Sequence, residues 1–591
     1  GSTTSNIAIP YGNDTAISVI FKGEDKTFKF YNNVTPDSGA AMYLFGDKAS
    51  VTIEGISEFV NNRAEKGYGP YNGGAIYSHL ASINFLKKAV FRGNIANDGN
   101  GRGLGGAISS NGVTNFEGGV DFINNDSATL GGAVFVGKDG KLNIFGGEVL
   151  FKGNTSGDKG GAIYSEGQIS LNSNGGAITF DGNKANNQNN DVYLAAGSLM
   201  LQGSNAITFN GSILGEAATT ITNAANNLVL NGDNGDYQGT FTQTSGKTLI
   251  SGNGKFFGGS KIHQINGGEL VLAAANAIDG SKIAINNDAN INVDVDTTMN
   301  ENISGNGNIT LDKNVTLTLL NDQSIFNGTY SQSTGNLVIG DGTVETKSFS
   351  GTNSIKGGTV TVKNNATLSG TNNISGKNTV VTLENGSTLA GTNTISGGIV
   401  NINTSNNAGA TNTINGGNVN IGSGVTFYGD KTTLSAGSIA LNNSVLDGLK
   451  EMTGGSVTIS NGSSIAEGAS LNITGGNVNI NQNLNLTNGN ITGNNSSATI
   501  TMIGNSLGIS GDQSGYDGTF NKTGGTINIG QAVDASVDAA DVTGGKFFGG
   551  NSNLTDTTVN IYDKGQIVLE SGKELNLDNT TINISNNGLS E

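Results

Sequence analysis

Short runs in which apolar and polar residues alternate fill this chain. Thr359-Val360-Thr361-Val362 alternates strictly and Ile399-Val400-Asn401-Ile402 nearly does, and such runs are strand-length with a period of two. Gly, Asn, Thr and Ser recur every few residues and are poor helix formers, so long helices are nearly excluded and an all-β fold is expected.

Two motifs alternate through the first 200 residues. Phe-x-x-Asn occurs at Phe30/Asn33, Phe59/Asn62, Phe91/Asn94, Phe122/Asn125, Phe151/Asn154 and Phe180/Asn183, with phenylalanines 29, 32, 31, 29 and 29 residues apart. Gly-Gly-Ala-(Ile/Val) begins at Gly73, Gly105, Gly131 and Gly160, preceded by the degenerate Gly39-Ala40-Ala41-Met42. A further match at Gly175 is out of register. A fixed period in this range marks a solenoid, in which each unit buries its apolar face only against its neighbours. With one coil per period, equivalent residues lie about 4.8 Å apart along the axis. Each Phe then stacks on the next inside the core. The Asn is expected to take the left-handed conformation at a corner and to bond to the amides above and below. Gly-Gly supplies the next corner, where a Cβ would clash, and Ala-Ile starts a strand facing a narrow interior.

From about residue 200 the period shortens. Asn353, Asn372, Asn393 and Asn412 lie in Thr-Asn-x-Ile repeats at 19, 21 and 19 residues, so one coil holds about 20. Three aromatic units, Tyr237 to Phe241, Phe326 to Tyr330 and Tyr516 to Phe520, are superimposed on this pattern, with Phe256-Phe257 and Phe547-Phe548 following the first and third. The expectation is a parallel β-helix (β-solenoid), a single elongated rod on the order of 120 Å long. Its sections are 1–195, with coils of about 30 residues, and 196–591, with coils of about 20.

Composition removes several function classes. A net charge of −17 lacks the basic footprint of a nucleic-acid binder. Absence of cysteine removes disulfides, thiolate metal sites and cysteine nucleophiles together. No run of about 18 apolar residues is present to cross a membrane as a helix. His79 and His263 are several coils apart, so a two-His metal site is not expected and each reads as a surface residue. Asp37-Ser38-Gly39 has the look of a serine-protease nucleophile segment but occupies a Gly-Gly-Ala-Ile position. Gly101-x-Gly103-x-x-Gly106 fits a dinucleotide fingerprint only formally, because a strand and not a helix follows. No cofactor and no catalysis are expected. Gly1-Ser2 reads as a cloning scar, and the chain reads as a fragment of a longer protein.

The alternating Phe-x-x-Asn and Gly-Gly-Ala-Ile repeats of residues 30 to 195 resemble those of the polymorphic membrane proteins, a family of bacterial autotransporter adhesins. The remainder is similar, more generally, to the Gly/Asn/Thr-rich passengers of large autotransporters. That resemblance implies a right-handed β-helix displayed on the Gram-negative cell surface by a C-terminal β-barrel. No barrel is legible here, since Ile582-Asn583-Ile584-Ser585-Asn586 still reads as coil. The expected function is that of a surface adhesin or host-interaction passenger, whose partner is a protein or glycan on a host or bacterial surface. The alternatives are a polysaccharide-active β-helix enzyme and a structural spacer.

Loop length suggests where contact is made. Between the motif Asn and the next Gly lie 5, 10, 10, 5 and 5 residues, so Arg63 to Asn72 and Ile95 to Leu104 are insertions in neighbouring coils. They carry Arg63, Lys66, Tyr68, Pro70, Tyr71 and Arg102, a basic and aromatic group on an acidic chain. Loops on rigid scaffolds concentrate binding residues, and Tyr and Arg are favoured at interfaces; the alternative is that insertions at solenoid corners are tolerated and neutral. Deleting both insertions is expected to weaken attachment while leaving the circular dichroism spectrum and thermal unfolding nearly unchanged; undiminished attachment refutes the assignment.

Overall fold

The strand-length runs pair in parallel with their equivalents one coil further on, which makes each coil a rung of a β-helix. The computed structural model describes residues 7–9, 16–65, 73–97, 101–343, 347–487, 490–494, 496–530, 544–562 and 564–584. By its internal contacts the chain divides into two compact units, 1–310 and 311–591. Among the described residues the only helical element is one 3-10 turn, Ser173–Gly175, and the only antiparallel pairing joins Lys184–Ala185 to Gln188 and Asn189.

In the first unit a long coil contributes four strands. One such coil holds Met42–Phe45, Ala49–Ile53, Ile56–Val60 and the two-residue Arg63–Ala64. Register puts like on like: Phe30 pairs with Phe59, Phe59 with Phe91, Phe91 with Phe122, Phe122 with Phe151, and Phe151 with Phe180. The rings stack with centroids 4.5 to 4.9 Å apart along the whole series, which Phe209 extends. A second stack, Phe85 on Phe116 at 4.7 Å, meets the first edge-to-face. After Phe209 the partner one coil on is Leu230, and after that Ile250.

The motif asparagines form a ladder beneath the phenylalanines. Each Nδ2 donates to the Oδ1 of the next, from Asn33 through Asn62, Asn94, Asn125 and Asn154 to Asn183, at 2.7 to 2.9 Å. From Asn62 onward each Nδ2 also donates to the preceding coil's Phe carbonyl, as Asn94 does to Phe59 at 2.9 Å. The corner itself is made differently from the sequence expectation. The left-handed residue is the one before the motif Asn, namely Asn32 (φ 53°), Asn61 (54°) and Asn124 (51°), with Gly93, Gly153 and Gly182 at the equivalent sites. Its predecessor takes the bend so that the motif side chain can point inward.

The second motif behaves as read. Its first glycine is left-handed (φ 64° to 69° at Gly73, Gly105, Gly131 and Gly160). Its second cannot carry a side chain, because a Cβ on Gly106 would sit 2.1 Å from the Gly132 carbonyl oxygen. The out-of-register Gly175-Gly176-Ala177-Ile178 lies elsewhere, with Ile178 paired to Val149 in the phenylalanine sheet.

The ladder stops at Asp191. This residue is fully buried in the slot that alanine fills in earlier coils, its backbone carbonyl accepting from Ala162 N. Its carboxylate accepts from Asn183 Nδ2 at 2.8 Å and Gly211 N at 2.6 Å. Burial raises its pKa to about 7, against the opposing pull of those donors.

Coils of the second unit are three-stranded, as in Thr352–Ile355, Thr359–Val362 and Ala366–Leu368. Their asparagines form a second ladder: Asn353, Asn372, Asn393 and Asn412 bond in turn at 2.7 to 2.9 Å across 19, 21 and 19 residues, ending on the Thr432 hydroxyl. The aromatic units are buried clusters. Tyr237, Phe241, Phe256 and Phe257 pack together in the first unit, and Tyr516, Phe520, Phe547 and Phe548 repeat the arrangement in the second.

Two outcomes test this account. Phe91→Ala empties a site between two stacked neighbours and is expected to cost about 3–5 kcal/mol in denaturant unfolding, whereas Lys152→Ala on the surface changes little. For Asp191 the folded pKa lies above the unfolded one, so the native state holds the extra proton between about pH 4 and 7. Its contribution is complete below pH 4 and is lost as pH rises through 7, with a slope of at most about 1.4 kcal/mol per pH unit. Asp191→Asn is expected to abolish that slope in thermal or urea titrations.

Candidate functional site

The strand after each Gly-Gly-Ala alternates one residue in and one out. The inward column is Met42, Ile76, Ile108, Val134, Ile163 and Val192. The outward residue follows each of these, and the register stacks Tyr43, Tyr77, Ser109, Phe135, Tyr164 and Tyr193 in one column. Five of the six positions are aromatic, on the solvent face of a sheet whose other face already closes the core.

The rings are ordered relative to one another. Tyr43 and Tyr77 lie 5.2 Å apart, Phe135 and Tyr164 5.5 Å at 7°, and Tyr164 and Tyr193 5.7 Å at 3°. Most are half-buried, and Tyr164, held between two rings, is 9% exposed. At the end of the column Lys159 Nζ sits 4.3 Å from the centre of the Tyr193 ring and donates to its hydroxyl at 2.8 Å. The Tyr193 hydroxyl donates to Glu216, which also ion-pairs with Lys159 at 3.6 Å. Its bond to Tyr193 raises the Lys159 pKa, and burial raises that of Tyr193.

One position interrupts the series. At Ser109 the column drops from a ring to a hydroxyl, leaving a notch of about 280 Å³ between Tyr77 and Phe135. Two residues further along each strand, a second column lines the same notch with His79, Asn111, Gly137 and Glu166, joined by backbone bonds from Asn111 N to Ser78 O, Gly137 N to Ser110 O and Glu166 N to Val136 O. Lys138 and Leu104 complete the lining. The His79 ring stacks on Phe45 at 4.4 Å. The Asn111 Oδ1 accepts from Asp139 N at 3.0 Å.

The insertions read from the sequence meet this surface at its edge. Arg63–Ala64 is a short strand paired with Val34–Thr35 on one side and Ile95–Ala96 on the other, so the two insertions start side by side. Arg63 therefore stands on a strand and not in a loop, and its Nε is 2.8 Å from the Glu65 carboxylate. Both insertions rejoin the coil together, where the Leu104 carbonyl accepts from Gly73 N at 2.8 Å. Arg102 is exposed just before that point. Lys66, Tyr68, Pro70 and Tyr71 lie outside the described residues.

His263 is not at the surface. It is fully buried, accepting from Phe241 N through Nδ1 at 3.1 Å with Nε2 2.9 Å from the Gly258 carbonyl, and burial lowers its pKa. Ser38 and Gly39 occupy the repeat corner, Gly39 at φ 65°. Among the described residues no three His, Asp or Glu side chains gather into a possible metal site.

No curated protein matches the chain. Residues 148–166 match the Chlamydia polymorphic membrane protein repeat. That segment carries the Phe151/Asn154 rung, the Gly160-Gly161-Ala162-Ile163 corner, the Tyr164 ring of the outward column and Glu166 of the notch, so the match supports the resemblance to the passengers of surface-displayed autotransporters.

Proposed function

We propose that this chain is part of a passenger displayed on a bacterial surface that works by binding, as an adhesin or host-interaction surface, and not by catalysis. The observation that carries the reading is the outward aromatic column. Its rings complete no core, since Ile76, Ile108, Val134 and Ile163 already fill the interior beneath them. Half-buried aromatic rings on a rigid face offer large contact area at small entropic cost, which is what recognition surfaces select. Repetition at one coil rise adds to this, because neighbouring rings can engage neighbouring groups of one partner and multiply weak contacts.

Surface display is supported by the repeat match at 148–166 and by the motifs around it. Arg63, Lys66, Tyr68, Tyr71 and Arg102 belong to the same reading, since their insertions begin and end together beside the column. The partner is a protein or glycan of a host cell or another bacterium. A glycan-cleaving β-helix would use two carboxylates flanking the bond; the notch is lined by one, Glu166.

Beads coated with the protein are expected to attach to epithelial or bacterial cells above albumin-coated beads. Tyr164→Ser combined with Tyr193→Ser should lower attachment by about tenfold while the circular dichroism spectrum stays that of the folded protein. Failure of the wild-type beads to attach to either cell type refutes the proposal.

A further inference from the structure

Building on the surface-binding reading, we infer that the notch at Ser109 is a saccharide subsite, which takes one uncharged pyranose ring edge-on between Tyr77 and Phe135. The geometry is that of a stack with one ring missing. Tyr77, Ser109 and Phe135 are consecutive in register, so the two rings stand two coil rises apart, about 9.6 Å. A ring in van der Waals contact on both faces uses about 7–8 Å of that span. The remainder suits a puckered sugar better than a flat aromatic side chain. The notch volume of about 280 Å³ lies just under the range of about 300–1,000 Å³ for sites that enclose a whole drug-sized ligand, so it matches a single ring at the end of a larger molecule.

The floor is polar and opens on the notch. Ser109 is 3% exposed, and its hydroxyl has no side-chain hydrogen bond among the described residues although it lines the notch. There a ligand hydroxyl can take the place of water as its hydrogen-bond partner. The rim supplies the other contacts a sugar requires. Asn111 uses its Oδ1 on Asp139 N, leaving Nδ2 as a donor. Glu166 and Lys138, whose side chains form no ion pair or hydrogen bond among the described residues, offer an acceptor and a donor at the rim. Leu104 gives the opposite side an apolar edge for the ring's C–H groups. One cation and one anion at the rim favour an uncharged ring over an acidic one.

The test uses the whole chain, fluorescently labelled, on an array of uncharged oligosaccharides ending in glucose, galactose, mannose, N-acetylglucosamine or N-acetylgalactosamine, with a parallel array of peptides ending in Phe or Tyr. The wild type is expected to bind at least one saccharide. Ser109→Phe, which restores the missing ring, and Tyr77→Ser, which removes one wall, should each abolish that binding. Ser109→Ala should weaken it by about tenfold with no change in thermal unfolding. Should Ser109→Phe unfold, Tyr77→Ser on the surface decides alone. No saccharide bound, saccharide binding that survives Tyr77→Ser, or preference for the aromatic peptides overturns the inference. Cell attachment without saccharide binding overturns it while leaving the adhesin reading standing, and saccharide binding without cell attachment does the reverse.

Discussion

Parallel pairing at one fixed rise is the constraint on which everything else depends. Once residue and equivalent residue are neighbours in register, each side chain faces its counterpart one coil on, and only side chains that tolerate self-stacking can be repeated in a buried column. Phenylalanine satisfies this by ring stacking at 4.5 to 4.9 Å. Asparagine satisfies it because an amide carries both a donor and an acceptor, so one residue type can bond to itself indefinitely. Lysine or glutamate in the same buried column would repel its neighbour. Most charged residues accordingly stand outside, where pairs such as Lys88 with Asp121 at 2.9 Å bridge neighbouring coils, and a buried one such as Asp191 is single in its column.

The core explains why an outer surface is available for recognition at all. In an ordinary small domain large aromatics are consumed by the interior. Here the interior is a narrow column already filled by one residue in two, and the outward positions carry no packing duty. Rings placed there are free to serve something else, and the scaffold holds them in parallel without further support. The same logic accounts for the buried clusters around Tyr237 and Tyr516, where rings turn inward and interlock edge-to-face instead of stacking.

Much of this was legible in the residues. Periodic Phe, Asn and Gly-Gly positions announced the β-helix, the phenylalanine stack and the first asparagine ladder, because a self-stacking column needs an unchanging residue. The bend before the motif asparagine was hidden, since Asn and Gly alternate there and either can be left-handed. Burial of His263 was hidden because a single imidazole has no periodic partner to mark it. The outward column was overlooked for a different reason. Its residue follows Ile or Val in each Gly-Gly-Ala motif, but Tyr, Ser, Phe and Tyr are not one type, and a search for identical residues passes over a position whose shared property is only being aromatic. The exception, Ser109, is the position that matters most to the proposed ligand.

Termination of the first ladder at Asp191 bears on how such a chain can change in length. A coil carrying its own Phe and Asn could be duplicated or lost anywhere between Phe30 and Phe180, and the amide chain would close again with every donor and acceptor matched. The Asp191 carboxyl turns its second oxygen to the backbone N–H of Gly211 and not to another side-chain amide, so the amide chain ends there. Length is thus free to drift across generations while the place where the pattern must stop is written in one residue.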